Sequence, residues 1–245
     1  MTIDLSYTDE IAVITLSRPE VLNAIHTEMA ERLLGLLDIV EKDASVALVL
    51  TGAGRAFCAG SDLRQREADP AYKIRLMHTI VRRLMEFPKL SVAALNGLAM
   101  GGGLELALGC TLRVAHPSAQ LGLPEIKLAT IPSYGGTQLL PRLIGASRAL
   151  AMMLEGEPIN AREAVNIGLV SALDDEPVRR AIVLARSCAK GRQNAQRAIR
   201  SAVFHGWADD IETGLSHELE LALGLIDEPE VHEAVADFFS RRSPK

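Results

Sequence analysis

The chain has 245 residues, is 48% hydrophobic and 4% aromatic, and carries a formal net charge of −5. That apolar content over that length fills one sizeable buried core, or one domain with an appendage. The mildly acidic balance excludes a general attraction for nucleic acid or anionic membrane, and so few aromatics exclude a base-stacking platform.

Read from the N-terminus, Met1 to Glu10 has neither a basic region nor a long apolar run, so no signal peptide is expected. Short β-branched runs predict strands over Ile11–Leu16, Val46–Thr51, Ser91–Leu95 and Thr111–Ala115. Between the first two, His26–Lys42 has helical periodicity, with Met29, Leu33, Leu36, Leu37 and Val40 on one face. Tyr72–Phe87 predicts a second helix, ended by Pro88, and Leu104–Cys110 a third, opened by three glycines. Strands alternating with helices argue for an α/β arrangement with crossover connections. After Pro141 the pattern turns mostly helical: Ser147–Glu155, Ala161–Ile167, Glu176–Gly191, Arg192–His205, Ile211–Ile226 and Glu228–Arg242. The expected division is a core over 1–190 and a helical appendage over 191–245. No apolar stretch is long enough to span a bilayer.

Cys58, Cys110 and Cys188 are odd in number and far apart, with no CxxC pair. Free thiols in a reducing compartment, the cytoplasm, are the expectation. At Cys58 a small buried hydrophobe is favoured over a nucleophile. The six histidines show no metal-ligand spacing.

Three glycine-bearing segments stand out: Gly52–Leu63, directly after a strand; Asn96–Ala107, a strand running into a helix; and Leu123–Gln138. Glycine permits close backbone approach, so such loops bare amide N–H groups, and at a helix N-terminus those donors suit an anion. The same glycines also serve simple tight turns. Neither a P-loop nor a dinucleotide fingerprint is present. Two carboxylates add to the pattern. Glu105 lies in the first turn of an apolar helix, and Glu125 follows Pro124 in the apolar run Leu121–Ile131. A glutamate at a helix start is often dipole complementation alone; a pair near anion-suited loops fits acid–base work.

These segments, in order and spacing, resemble the enoyl-CoA hydratase/isomerase (crotonase) superfamily. The likeness starts at Leu16-Ser-Arg-Pro-Glu-Val-Leu-Asn-Ala24 and runs through the three glycine segments. It continues through Pro141–Gly145 and Glu163–Val170 to Ala236–Arg242. The resemblance implies a spiral of ββα units with a helical C-terminal region that forms homotrimers or homohexamers. It also implies that the backbone N–H groups of Ser61 and Gly102 form an oxyanion hole for a thioester oxygen. Ala59, Gly60, Asp62 and Leu63 would line the adenine and pantetheine side, and Val21 would contact the CoA moiety. Glu105 and Glu125 fall on the family's two hydratase carboxylates. The implied activity is hydration of a 2-trans-enoyl-CoA, with no metal or redox cofactor and CoA only as part of the substrate.

The alternative within the family is a Δ3,Δ2-enoyl-CoA isomerase, for which one base suffices. Some relatives bind RNA, but the acidic balance and absence of a Lys/Arg run argue against that here. Ser133 stands where the hydratase pattern usually has glycine; it keeps the N–H, adds a hydroxyl and belongs with the substrate-binding candidates. Arg64 could face CoA phosphates, and Phe238 and Arg241 match tail positions that reach a neighbouring subunit's CoA. Trp207 reads as packing. The acyl pocket is expected partly from Arg66–Phe87, so the acyl group is not legible.

Overall fold

The first repeating unit shows why this chain winds as it does. Ala47–Gly52 (β3) is buried along its whole length and apolar but for Thr51, which suits a central strand covered on both faces. The chain then makes a second, three-residue strand, Ala56–Cys58 (β4), and later a helix, Pro70–Met85 (α2). The pattern recurs as Leu90–Leu95 (β5), Leu98–Met100 (β6) and Gly102–Gly109 (α3). It recurs again as Leu112–Ala115 (β7), Gln120–Gly122 (β8) and Gly136–Ile144 (α4). In each turn the first strand joins one sheet and the second joins another. β3, β5 and β7 pair in parallel, and so do β4, β6 and β8. This is a spiral of ββα units.

The computed structural model describes residues 2–64, 69–189, 192–207 and 209–240, with side chains to residue 235. Two compact units result, Met1–Ser187 and Cys188–Lys245. In the first, an N-terminal hairpin of Ile3–Thr8 (β1) and Ile11–Leu16 (β2) extends the six-stranded sheet, whose last strand is the two-residue Ala172–Leu173 (β10). Ile159–Asn160 (β9) closes the four-stranded sheet antiparallel to β8. Thr27–Lys42 (α1) buries Met29, Leu33, Leu36, Leu37 and Val40, the face its periodicity predicts, with Ala30 added. Burying each large side chain stabilises by roughly 1.5–3 kcal/mol. Ala146–Glu155 (α5), Ala161–Asn166 (α6) and Pro177–Ala189 (α7) follow. The second unit holds Gln193–His205 (α8), Ile211–Leu225 (α9) and Pro229–Ser240 (α10). Among the described residues no helix is long and apolar enough to cross a membrane.

Several elements differ from the expectation. α4 begins at Gly136 and contains Pro141, whereas the helical pattern was expected only after that proline. The helix forfeits one backbone hydrogen bond there and continues. β1 escapes the pattern because only Ile3 of its six residues is buried. Residues 190, 191, 241 and 242, included in the expected helices, lie outside the described residues, as does Arg241. Phe238 is described in backbone only.

Candidate active site

Parallel strands bring their C-terminal ends to one edge, and in the four-stranded sheet that edge gathers all three glycine segments. β4 leads into Ala59–Leu63, β6 into Gly101–Gly102, and β8 into Leu123–Glu125. The Gly101 N–H donates to the Gly122 carbonyl at 2.9 Å, joining the second loop to the third. The first and second loops approach closely: a Cβ on Gly60 would lie 3.3 Å from the Gly102 nitrogen. One on Gly102 would lie 3.7 Å from the Ser61 nitrogen.

The orientation of Ser61 follows from its bridge to Ile25. Ile25 donates to the Gly60 carbonyl at 2.8 Å and accepts from the Asp62 N–H at 2.9 Å. That parallel pattern turns the N–H of Ser61 away from Ile25. Gly102 is the first residue of α3, so its N–H has no acceptor within the helix. Two backbone donors thus converge beside a helix N-terminus. Gly101 permits this with φ +50°, and a Cβ there would also lie 2.9 Å from Glu125 Oε1.

Both carboxylates face this place. Glu105, 1% exposed, sits in the first turn of α3. Its Oε1 accepts the Tyr134 N–H at 2.8 Å and the Gly136 N–H at 2.7 Å, the latter from the first residue of α4. Burial pushes its pKa up to about 7, and the nearby Glu125 charge adds to the rise; the two N–H donors pull the other way without prevailing. Glu125 opens a short 3-10 turn, Glu125–Leu128. Its Oε2 is buried with no hydrogen-bond partner among the described residues, and burial raises its pKa as well. A buried, unpaired carboxylate oxygen is costly when ionised, so the site favours a proton shared across the pair.

Ala59 donates its N–H to the Leu22 carbonyl at 2.9 Å, so the first loop is laced to the segment after β2. Val21 ends a 3-10 turn, Pro19–Val21, in that same segment and is half-buried. Buried Asn23 braces it from below, donating to the Ala53 and Ala56 carbonyls. The Asp62 carboxylate is held by Arg18 at 2.9 Å. Burial opposes its ionisation, but the Arg18 guanidinium keeps its pKa below the usual carboxylate value. Leu63 and Arg64 are exposed, and the Ser133 carbonyl meets His78 Nε2 at 2.7 Å. Cys58 is buried, its thiol pushed up to about 12 by burial. Trp207 packs edge-on against Phe204 in the second unit.

Tyr134, which follows Ser133, was given no role from the sequence. It is 5% exposed, and its hydroxyl lies 2.5 Å from Ser61 Oγ. Its ring covers Gly102, where a Cβ would meet Cδ2 and Cε2 at 2.7 Å. The signal available was its position, two residues before the glycine that starts α4.

Residues 7–245 match the family described as Enoyl-CoA hydratase/isomerase. The (E)-benzylidenesuccinyl-CoA hydratase of Thauera aromatica is 37% identical over 254 residues, covering 100% of this chain and 98% of that protein. The 1,2-epoxyphenylacetyl-CoA isomerase of Escherichia coli K12 is 36% identical over 246 residues, covering 96% and 94%. Among solved structures, an enoyl-CoA hydratase from Bacillus anthracis superposes with a TM-score of 0.93 at 35% identity, covering 100% of this chain and 98% of that one.

Proposed function

Since the chain belongs to the enoyl-CoA hydratase/isomerase family, we propose that it is an enoyl-CoA hydratase, adding water syn across a 2-trans-enoyl-CoA to give the 3-hydroxyacyl-CoA. The carrying observation is that the Glu105 and Glu125 carboxylates are close enough to interact, with Glu125 beside the Gly101–Gly102 loop that bears one of the two backbone donors.

The thioester oxygen sits between the N–H groups of Ser61 and Gly102. As water attacks Cβ, the π electrons move toward that oxygen, and fixed donors act most strongly on the enolate so formed. Glu105 takes a proton from the water. A pKa of about 7 suits a base that works near neutral pH. Glu125, whose unpartnered Oε2 favours a proton, orients the same water and delivers a proton to Cα. The side formed by Val21 and Ala59–Leu63 takes the pantetheine and adenine, with the Asp62–Arg18 pair stiffening it. All chemistry is then carried by two carboxylates and two amides, with no metal or redox cofactor, and the work is done in the cytoplasm.

A second reading, double-bond migration, needs one base only. The retention of both glutamates favours hydration. Steady-state turnover of enoyl-CoA thioesters varied in chain length and double-bond position separates the two. Hydration of 2-enoyl-CoA with slow conversion of 3-enoyl-CoA supports the proposal; the reverse order overturns it.

A further inference from the structure

We propose that Tyr134 is a positioning residue: its phenol, bonded to the Ser61 hydroxyl and packed over Gly102, holds the two backbone donors at a fixed spacing from each other and from Glu105. The inference rests on the function proposed above and adds a residue to its machinery.

Ser61 and Gly102 belong to different loops, one after β4 and one at the start of α3. Strand pairing aligns the loops only as far as Cys58 and Met100; beyond it Ser61 is bridged to Ile25 and Gly101 is bonded to Gly122, so each donor's loop is held by a different neighbour. Tyr134 supplies a third point of attachment. Its hydroxyl reaches Ser61 Oγ at 2.5 Å, its ring lies on Gly102, and its own N–H donates to Glu105 Oε1 at 2.8 Å. One residue therefore touches both donors' loops and the base. Its backbone is tied in turn, since the carbonyl of the preceding Ser133 meets His78 Nε2 at 2.7 Å.

Rigidity matters here because hydrogen bonds weaken steeply with distance and angle, and a hole slightly too wide loses stabilisation of the enolate before it loses ligand. A phenol fixed at both ring and hydroxyl resists such widening with only two side-chain torsions to order. The Ser61 side chain acts in a role separate from its backbone N–H: it is the anchor for the phenol.

The test uses the full-length protein and three variants: Tyr134→Phe, which keeps the ring and the backbone N–H; Ser61→Ala, which keeps the backbone donor; and the double variant. Two readouts are taken: kcat and KM on the best enoyl-CoA, and the absorption shift of a cinnamoyl-CoA thioester on binding, which reports carbonyl polarisation. Losing one neutral hydrogen bond should lower kcat about three- to tenfold in each single variant, with KM changed by less than about twofold. The absorption shift should shrink in both. Because the hydroxyls act through one bond, the double variant should be no worse than the poorer single. Wild-type kcat and an undiminished shift in both single variants would overturn the inference, as would losses that multiply in the double variant. If the wild-type protein polarises the thioester but hydrates none of the panel, the proposed reaction falls, while the shift comparison still decides the role of Tyr134. Ser61→Ala keeps the question answerable should Tyr134→Phe fold poorly.

Discussion

Gly136 donates its backbone N–H to Glu105 Oε1 at 2.7 Å, tying the first residue of α4 to the first turn of α3. The bond favours an ionised Glu105, yet burial outweighs it and leaves the carboxyl with a pKa near 7. A base must be ionised to accept a proton and an acid protonated to deliver one, so kcat should rise with pH through about 7 and fall again where Glu125 loses its proton. A pH–rate profile checks this, and the residual activity of Glu105→Gln should lack that acid limb.

The same burial sets a pH dependence of stability. The folded carboxyl binds its proton up to about 7, against an ordinary value of 4.5 in the unfolded chain. The folded state therefore holds more protons between those values, and stability falls as pH rises across that window and is flat above it. Glu105→Gln keeps an acceptor for both N–H groups and carries no charge. Its advantage over the wild type should be small at pH 4.5, where wild-type Glu105 is protonated, and should grow to roughly 3 kcal/mol at pH 8. Urea unfolding at the two pH values measures it.

Two glycines should respond in opposite ways to alanine. A Cβ on Gly103 would stand 2.3 Å from the Cys58 carbonyl oxygen, so α3 or β4 must shift. Gly103→Ala should cost on the order of 3 kcal/mol. Gly35, inside α1, has nothing within 4 Å of a Cβ. Gly35→Ala should stabilise by about 0.5–1 kcal/mol through helix propensity. Thermal unfolding of both variants tests the packing between the two loops.

The helical C-terminal unit points to assembly. Leu219 and Leu223 on α9 are 59% and 58% exposed, and Leu215 and Ile226 are also exposed. Large apolar side chains exposed at helical spacing favour association. Light scattering coupled to size exclusion should give three or six subunits at micromolar concentration; a monomer would contradict this.

How much of this was legible in the sequence depends on range. The buried face of α1 was readable because helical periodicity is local, and β3 and β5 because central parallel strands are continuous apolar runs. The three-residue strands were missed, β4 and β6 inside the first two glycine segments and β8 just before the third, since so short a run has no period of its own. Glu105 and Glu125 stood out as charges in apolar surroundings. What holds Glu105 did not, because its donors lie 29 and 31 residues away and are backbone groups with no side-chain signature. Asp62, read as lining a ligand, spends its carboxylate on Arg18, a partner only the folded lacing of the two segments reveals.

In the proposed reaction Glu105 and Glu125 work as a pair on one water. The direct measurement is hydration of a 2-enoyl-CoA by Glu105→Gln, Glu125→Gln and the double variant, beside migration of a 3-enoyl double bond. General acid–base groups each contribute roughly 10²–10⁴-fold, so either single change should lower hydration at least about 10²-fold. Sharing one water, the pair should lose far less in the double variant than the product of the single losses. Normal hydration by Glu105→Gln, with double-bond migration abolished in Glu125→Gln, would contradict the account and favour an isomerase; undiminished hydration in both single variants would remove the carboxylates from the chemistry altogether.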